Sequence, residues 1–197
     1  MFLSLAFEVL FRPKRAAVRI TEWSGALGRG IGVYTLSIFT AAVFYTLKPR
    51  HFPEDTSFVP LGMHGPGFWT WVGLVGLGVV LAGALVIWAL LRIKTPVAYS
   101  AVAAFAAWMH LFYFLMFVPL SLAAYFQNEA WYRTFEYGFS LWGCFVAVVG
   151  VSQLGRISLP RSLGIIFVSA LSNLAVLWGL YALGCISSEA MKVLLFL

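Results

Sequence analysis

Residues 69–91 read WTWVGLVGLGVVLAGALVIWALL and are followed directly by Arg92. The stretch has no charged residue and is longer than the roughly 20 residues that an α-helix needs to cross the hydrocarbon core of a bilayer. Trp69 and Trp71 stand at its start and Trp88 near its end, where indole rings anchor a helix at the two membrane interfaces. These residues therefore predict a transmembrane helix.

The rest of the chain has the composition of a membrane protein. Of its 197 residues, 62% are hydrophobic and 10% are charged, whereas soluble domains are roughly half apolar and about a quarter charged. Four further segments are apolar and about long enough to cross a bilayer: residues 28–47, 97–124, 139–155 and 162–183. We therefore expect an all-α integral membrane protein in which residues 28–197 form one domain of five transmembrane helices.

The segments between the predicted spans are short. Residues 51–67 (HFPEDTSFVPLGMHGPG) are too polar for hydrocarbon and are expected at the surface, and residues 125–138 (YFQNEAWYRTFEYG) suit a short interfacial helix or loop. Pro119 is expected to kink or end the third span. The turn RISLPR at residues 156–161 is so short that the fourth and fifth spans should be antiparallel neighbours.

Residues 1–27 form a separate N-terminal segment. After Pro13, apolar residues recur at helical spacing, namely Ala16, Ala17, Ile20 and Trp23, and basic residues lie between them, namely Lys14, Arg15 and Arg19. This pattern predicts a short amphipathic helix. The helix either lies on the inner leaflet with its cations near anionic head groups, or forms a cytoplasmic cap packed beneath the bundle.

The basic residues also predict an orientation. Nine of the 13 fall on the side of the N-terminus: Arg12, Lys14, Arg15, Arg19, Arg29, Arg92, Lys94, Arg156 and Arg161. The others fall on the opposite side: Lys48, Arg50, Arg133 and Lys192. Because cytoplasmic loops carry the excess of Lys and Arg, we expect a multi-pass protein of the bacterial inner membrane, with a cytoplasmic N-terminus and the C-terminus outside.

Several classes of site have no support in the sequence. The net charge of +6 is spread over turns between apolar runs rather than gathered in one patch, so no nucleic-acid partner is expected. Cys144 and Cys185 lack the close Cys and His spacing of a zinc site. No Ser, His and Asp arrangement occurs, and we expect no catalytic residue, metal or cofactor.

A few polar residues fall inside the predicted spans. His110 is the only histidine or charged residue deep in a span, Gln153 lies in the fourth, and Ser169, Ser172 and Asn173 share one face of the fifth. Polar groups within a bilayer are costly and invite functional hypotheses. A polar transport path is one interpretation, and hydrogen bonding between helices is the other.

Small residues predict faces for helix packing. Gly28 and Gly32 form a GxxxG motif, and the other candidates lie in the second and fifth spans: Gly73, Gly76, Gly78, Gly83, Ala175 and Gly179. The run GLVGLG at residues 73–78 lies within a span, with no preceding strand and no lysine. It therefore does not predict a phosphate-binding loop.

Three stretches carry a resemblance to a known family. They are LFRPKRAAVRITEW at residues 10–23, PVAYSAVAAFAAWMHLFYF at residues 96–114, and YGFSLWGCFVAVVGVSQLGRISLPRSLGIIF at residues 137–167. With the five spans, they resemble the Yip (Ypt-interacting protein) family in its compact prokaryotic form. The resemblance implies a membrane adaptor. Eukaryotic members contact Rab-type GTPases through a long cytosolic N-terminal region, which this sequence lacks, so we expect no GTPase docking.

The leading functional hypothesis is a non-enzymatic membrane scaffold or accessory subunit that packs with another membrane protein or with copies of itself. The alternative is a permease or lipid-handling subunit of a membrane transport complex, suggested by the polar face of the fifth span and by Pro119. An intramembrane enzyme is the third hypothesis, and it has least support because His110 has no carboxylate at helical spacing.

Overall fold

The computed structural model describes residues 2–47, 65–126 and 128–196. These ranges contain nine α-helices: α1 (Phe2–Phe11), α2 (Pro13–Glu22), α3 (Ala26–Leu47), α4 (Pro66–Arg92), α5 (Tyr99–Met109), α6 (Leu111–Tyr125), α7 (Glu129–Gly155), α8 (Leu159–Ala182) and α9 (Ser188–Phe196). No strand occurs among them. Most of the predicted surface loop, at residues 51–64, lies outside the described residues.

Five helical stretches are long and apolar enough to cross a membrane: Ala26–Val43, Pro66–Arg92, Tyr99–Ala123, Glu129–Gly155 and Leu159–Ala182. The predicted all-α fold with five membrane-spanning segments is therefore confirmed. α7 begins at Glu129 rather than at Phe139, because Asn128 caps the helix by accepting a hydrogen bond of 3.0 Å from the backbone N–H of Trp131. Residues 129–138 thus extend the fourth span.

The third span is interrupted at His110, not at Pro119. The backbone N–H of His110 bonds to the carbonyl of Ala107 at 3.3 Å, so one turn tightens between α5 and α6. α6 runs through Pro119 to Tyr125. Of the kink or end expected at Pro119, the end is wrong, since a span can accommodate a proline where its surroundings satisfy the freed carbonyl.

α1 and α2 form a helical hairpin at the N-terminus. α2 buries Pro13, Ala16, Ala17 and Ile20, and it packs against α7, α5 and α1. The apolar face of α2 therefore contacts other helices of the protein.

α5 lies at the centre of the bundle, where it contacts α3, α4 and α7. Its Trp108 is fully buried and donates a hydrogen bond of 3.0 Å from Nε1 to the carbonyl of Ala26. Two close approaches depend on glycine, since a Cβ on Gly30 would lie 3.0 Å from Cβ of Ala107 and a Cβ on Gly150 would overlap the ring of Phe105.

The turns α4–α5 and α7–α8 meet at one end of the molecule, which we call the basic end after its cations: Arg92, Lys94, Arg156 and Arg161. Thr95 joins the two turns through a hydrogen bond of 2.7 Å from Oγ1 to the carbonyl of Gly155. α7 and α8 contact one another, as predicted from their short connection. Arg156 ends α7 in the left-handed conformation, with φ 48°.

A candidate intramembrane cavity

A cavity of about 520 Å³ lies within the helices that are long enough to cross a membrane. Its wall is mostly apolar and is formed by residues of α3 to α9. Polar side chains interrupt that wall at a few places: Tyr34, His110, Tyr113, Ser140, Ser169 and Asn173. Three of the polar residues expected within the spans therefore share one cavity.

His110 lies at the break between α5 and α6 and forms part of the cavity wall. Its side chain is buried, and its Nδ1 has no hydrogen-bond partner among the described residues. The ring of Tyr34 meets the imidazole edge-on with 4.7 Å between centroids, and the ring of Tyr113 lies 5.3 Å away. The imidazole therefore lies between two aromatic rings on the cavity wall.

Tyr34 of α3 is held against α4 by its hydroxyl. Its hydroxyl donates a hydrogen bond of 2.8 Å to the carbonyl of Gly73. The hydroxyl also lies so close to Gly76 that a Cβ at that position would overlap it. Gly76 thus makes room for the tyrosine that lies against His110.

Ser169 and Asn173, on the polar face of α8, both contact α4. Ser169 Oγ donates a hydrogen bond of 3.0 Å to the carbonyl of Gly83. A Cβ on Gly83 would lie 2.6 Å from Nδ2 of Asn173, so a larger residue here would require the carboxamide to move. The packing glycine and the polar residues of the cavity are therefore parts of one contact.

The other polar residues expected within the spans lie elsewhere. Ser172 Oγ bonds to the carbonyl of Val168 in its own helix at 2.9 Å and does not line the cavity. Gln153 lines a different cavity of about 550 Å³, which lies at the basic end between α2 and the turns near Thr95 and Arg156. The polar face of α8 is thus only partly used by the intramembrane cavity.

The small residues named from the sequence also divide into two groups. Gly73, Gly76 and Gly83 contact side chains of other helices. The others are exposed on the outside of the molecule, and the glycines among them face open space: Gly28, Gly32, Gly78, Ala175 and Gly179. Gly30, between the two glycines of the motif, makes the contact with α5, and the GxxxG spacing gave no signal for it.

The cavity opens sideways between α7 and α8. Ser140 and Cys144 of α7 and Ala170 and Leu174 of α8 line it and are exposed at the surface. The two helices are joined near their connecting turn, where Ser162 Oγ donates a hydrogen bond of 2.6 Å to the carbonyl of Val148. The opening therefore lies on the flank of two membrane-spanning helices.

The basic residues expected at the inner leaflet differ in their surroundings. Lys14 and Arg15 are exposed. Arg19 is partly buried, and its Nη1 lies 3.0 Å from Oε1 of Glu8 and 2.6 Å from Oγ of Ser4. Arg19 therefore joins α2 to α1.

Comparison of the chain with models of protein families, with curated proteins and with solved structures gives no match. The resemblance to the Yip family stays a prediction.

Proposed function

We propose that the protein is a non-enzymatic membrane protein of the lipid-handling class, and that it holds an amphipathic, lipid-like molecule in the cavity between α7 and α8. In this proposal the apolar part of the ligand lies along the wall and its polar group lies near His110. No catalytic residue or cofactor is assigned.

The size, lining and position of the cavity support this proposal. A volume of about 520 Å³ falls within the roughly 300–1,000 Å³ of small-molecule sites, which are mostly apolar with a few polar groups that orient the ligand. The opening between Cys144 and Ala170 faces sideways, so a molecule dissolved in the bilayer enters without passing through water.

The observation that carries the proposal is the buried Nδ1 of His110, which has no hydrogen-bond partner among the described residues. An unsatisfied buried polar group costs about 1–3 kcal/mol, and in lipid no water replaces the missing partner. His110 lines the cavity, but its Nδ1 is fully buried. A hydroxyl or amide on a bound molecule would therefore supply that hydrogen bond after the imidazole rotates toward the cavity.

The test is to obstruct the opening and measure bound lipid. Ala170→Trp places an indole in the cavity opening, whereas Ala175→Trp places it on the same helix outside the cavity. Native mass spectrometry of detergent-purified protein should show lipid adducts on the wild type and on Ala175→Trp, and a several-fold loss on Ala170→Trp. Equal adducts on all three proteins would contradict the proposal.

A second role, as a scaffold or accessory subunit, is supported by the outer face of α3. Gly28 and Gly32 lie there with open space around them, and Leu36 and Phe39 continue the same exposed face. Small residues at this spacing let a second helix approach closely in a membrane. The partner would be another membrane protein or a second copy of this chain.

Cross-linking in native membranes tests this role. Gly28→Ile with Gly32→Ile should abolish the cross-linked species, and Gly164→Ile, at another exposed glycine with open space around it, should retain it. The scaffold role is wrong if wild-type protein forms no cross-linked species, or if the double variant retains it.

For orientation, we propose that the basic end faces the cytoplasm. Arg92 lies over the ring of Trp88, 4.9 Å from its centroid, an arrangement that suits a membrane interface with the cation on the water side. Accessibility of a single cysteine at Lys94 to a membrane-impermeant reagent tests this. Labelling in inverted vesicles but not in intact cells is expected, and the reverse would contradict it.

A further inference from the structure

The N-terminal hairpin of α1 and α2 carries a group of cations that the cavity does not use. The two helices are antiparallel and are connected at Arg12. The side chain of Arg19 in α2 contacts Ser4 and Glu8 of α1 at 2.6 Å and 3.0 Å. The turn of the hairpin therefore points away from both Ser4 and Arg19.

The hairpin lies along the half of α7 that leads to the basic end. Near its turn, the carbonyl of Leu10 accepts a hydrogen bond of 3.0 Å from Nε1 of Trp142. At the other end of α2, Glu22 lines the same cavity as Gln153 and Arg156. α2 therefore runs beside α7 from near Trp142 to the basic end.

This placement puts the turn deep in the bundle. Trp142 precedes Gly155 by 13 residues, which is about 20 Å at 1.5 Å per residue. The 10 residues of α2 cover about 15 Å by the same rule. Since the hydrocarbon core of a bilayer is about 30 Å thick, the turn lies near half of that depth.

The outer face of α1 is apolar, as expected of a helix that lies within the hydrocarbon core. Leu5 and Val9 are buried against the bundle, whereas Leu3, Phe7 and Phe11 are 80%, 52% and 59% exposed. The exposed residues are four apart and so form one apolar stripe along the helix. That stripe runs from the basic end to the turn and fits contact with acyl chains.

The cations at the turn have no ion pair with any acidic residue that the structure describes. Arg12, Lys14 and Arg15 are exposed, and among the described residues the carboxylate of Glu8 pairs with Arg19, while no ion pair includes any of these three cations. Cations within a bilayer are costly, and the cost falls when their long side chains reach the interface or when head groups and water are drawn inward.

We propose that the hairpin is a half-inserted element that binds the phosphates of anionic phospholipids at Arg12, Lys14 and Arg15. The phospholipids belong to the leaflet at the basic end. Their head groups are drawn toward the turn, so that this leaflet is thinner beside α7. The apolar stripe of α1 holds the acyl chains of the same lipids. This site is separate from the cavity, which opens between α7 and α8.

The first experiment measures depth in a variant without cysteines, Cys144→Ser with Cys185→Ser. A nitroxide label is placed on Phe11→Cys or on Leu3→Cys in phosphatidylcholine bilayers with phosphatidylglycerol. The Phe11 label should collide more with oxygen and less with a water-soluble nickel chelate than the Leu3 label. Equal depths would overturn the proposal, because the hairpin would then lie flat at the surface.

The second experiment measures lipid selectivity. Native mass spectrometry of protein from mixed phosphatidylcholine and phosphatidylglycerol nanodiscs should show phosphatidylglycerol enriched on the wild type. The variant Arg12→Gln, Lys14→Gln, Arg15→Gln should lose that enrichment several-fold. A control with the same charge change at the basic end, Arg92→Gln, Lys94→Gln, Arg161→Gln, should retain most of it.

Two outcomes would overturn the lipid site. One is equal loss in the two triple variants, which would mean that only overall charge matters. The other is displacement of phosphatidylglycerol by millimolar inorganic phosphate, which would indicate a site for a free anion rather than for a lipid head group. Neither outcome depends on the cavity, because neither triple variant changes a residue that lines it.

Discussion

The hydroxyl of Ser169 donates a hydrogen bond of 3.0 Å to the backbone carbonyl of Gly83, and this bond joins α8 to α4 at the wall of the intramembrane cavity. A carbonyl inside a helix already accepts one hydrogen bond from the backbone of that helix. The serine donates a second hydrogen bond to the same carbonyl, and this one joins two spans.

Ser169→Ala should lower the apparent Tm slightly, because it removes the bond to α4. Interhelical hydrogen bonds in membrane proteins are worth about 0.6 kcal/mol on average. Ser172→Ala is the matched control, since Ser172 bonds within its own helix to Val168. Thermal unfolding in detergent should show a smaller change for the control, and equal changes would mean that the bond to Gly83 adds nothing.

Gly83→Leu should destabilise the protein clearly, because a Cβ there already lies 2.6 Å from Nδ2 of Asn173. Overpacking of this kind typically costs about 1–3 kcal/mol. Gly78→Leu lies in the same helix and faces open space, so it should be close to neutral. A lower apparent Tm for Gly78→Leu than for Gly83→Leu would contradict the packing of α4 against α8.

His110→Leu should leave the apparent Tm unchanged or raise it, because Nδ1 has no partner to lose among the described residues and an unsatisfied buried group is removed. The same variant should retain less bound lipid. Tyr34→Phe provides the contrast, since it loses the bond to the carbonyl of Gly73. It should lower the free energy of unfolding by about 0.5–1.5 kcal/mol, and the apparent Tm with it.

A fall in apparent Tm for His110→Leu, with lipid adducts unchanged, would show that the histidine acts in the stability of the fold. That result would remove the main support for the cavity as a ligand site.

Arg156→Gly should stabilise the protein, because Arg156 has φ 48° and a non-glycine residue in the left-handed region costs of order 1 kcal/mol or more. Arg156→Ala removes the same charge but keeps a Cβ, so it should give no gain. Thermal unfolding of the two variants separates backbone strain from charge, and a gain of equal size in both would assign the effect to charge.

The sequence predicted the spans well because hydropathy and length are local properties. The charge-free run of residues 69–91 lies within α4, and the short turn at residues 156–161 correctly made α7 and α8 neighbours. The start of α7 was missed because a charged and aromatic stretch, capped by Asn128, continues the helix. The amphipathic helix after Pro13 was predicted and is present as α2. Its pairing with α1 and the position of this hairpin against α7 were missed, since the contact joins Leu10 to Trp142, 132 residues away.

The cavity could be predicted only in part. His110, Ser169 and Asn173 were identified as polar residues in apolar spans, but their convergence depends on how α5, α6 and α8 pack. The break at His110 could not be predicted, because no proline or glycine lies beside it. The proline of this span is Pro119, which lies inside α6. Gly150 was missed because its role depends on the ring of Phe105, which comes from another helix.

The most direct test of the ligand site is to locate a bound lipid by photo-cross-linking. A phospholipid with a diazirine in its acyl chain is incorporated into bilayers with the wild type or with Ala170→Trp, and the adducts are mapped by mass spectrometry. We expect adducts in the wild type on inner cavity residues such as Tyr113 and Met116, and their loss in Ala170→Trp, while outward residues such as Phe167 are labelled in both. Labelling confined to outward residues in both proteins would contradict a lipid-holding cavity.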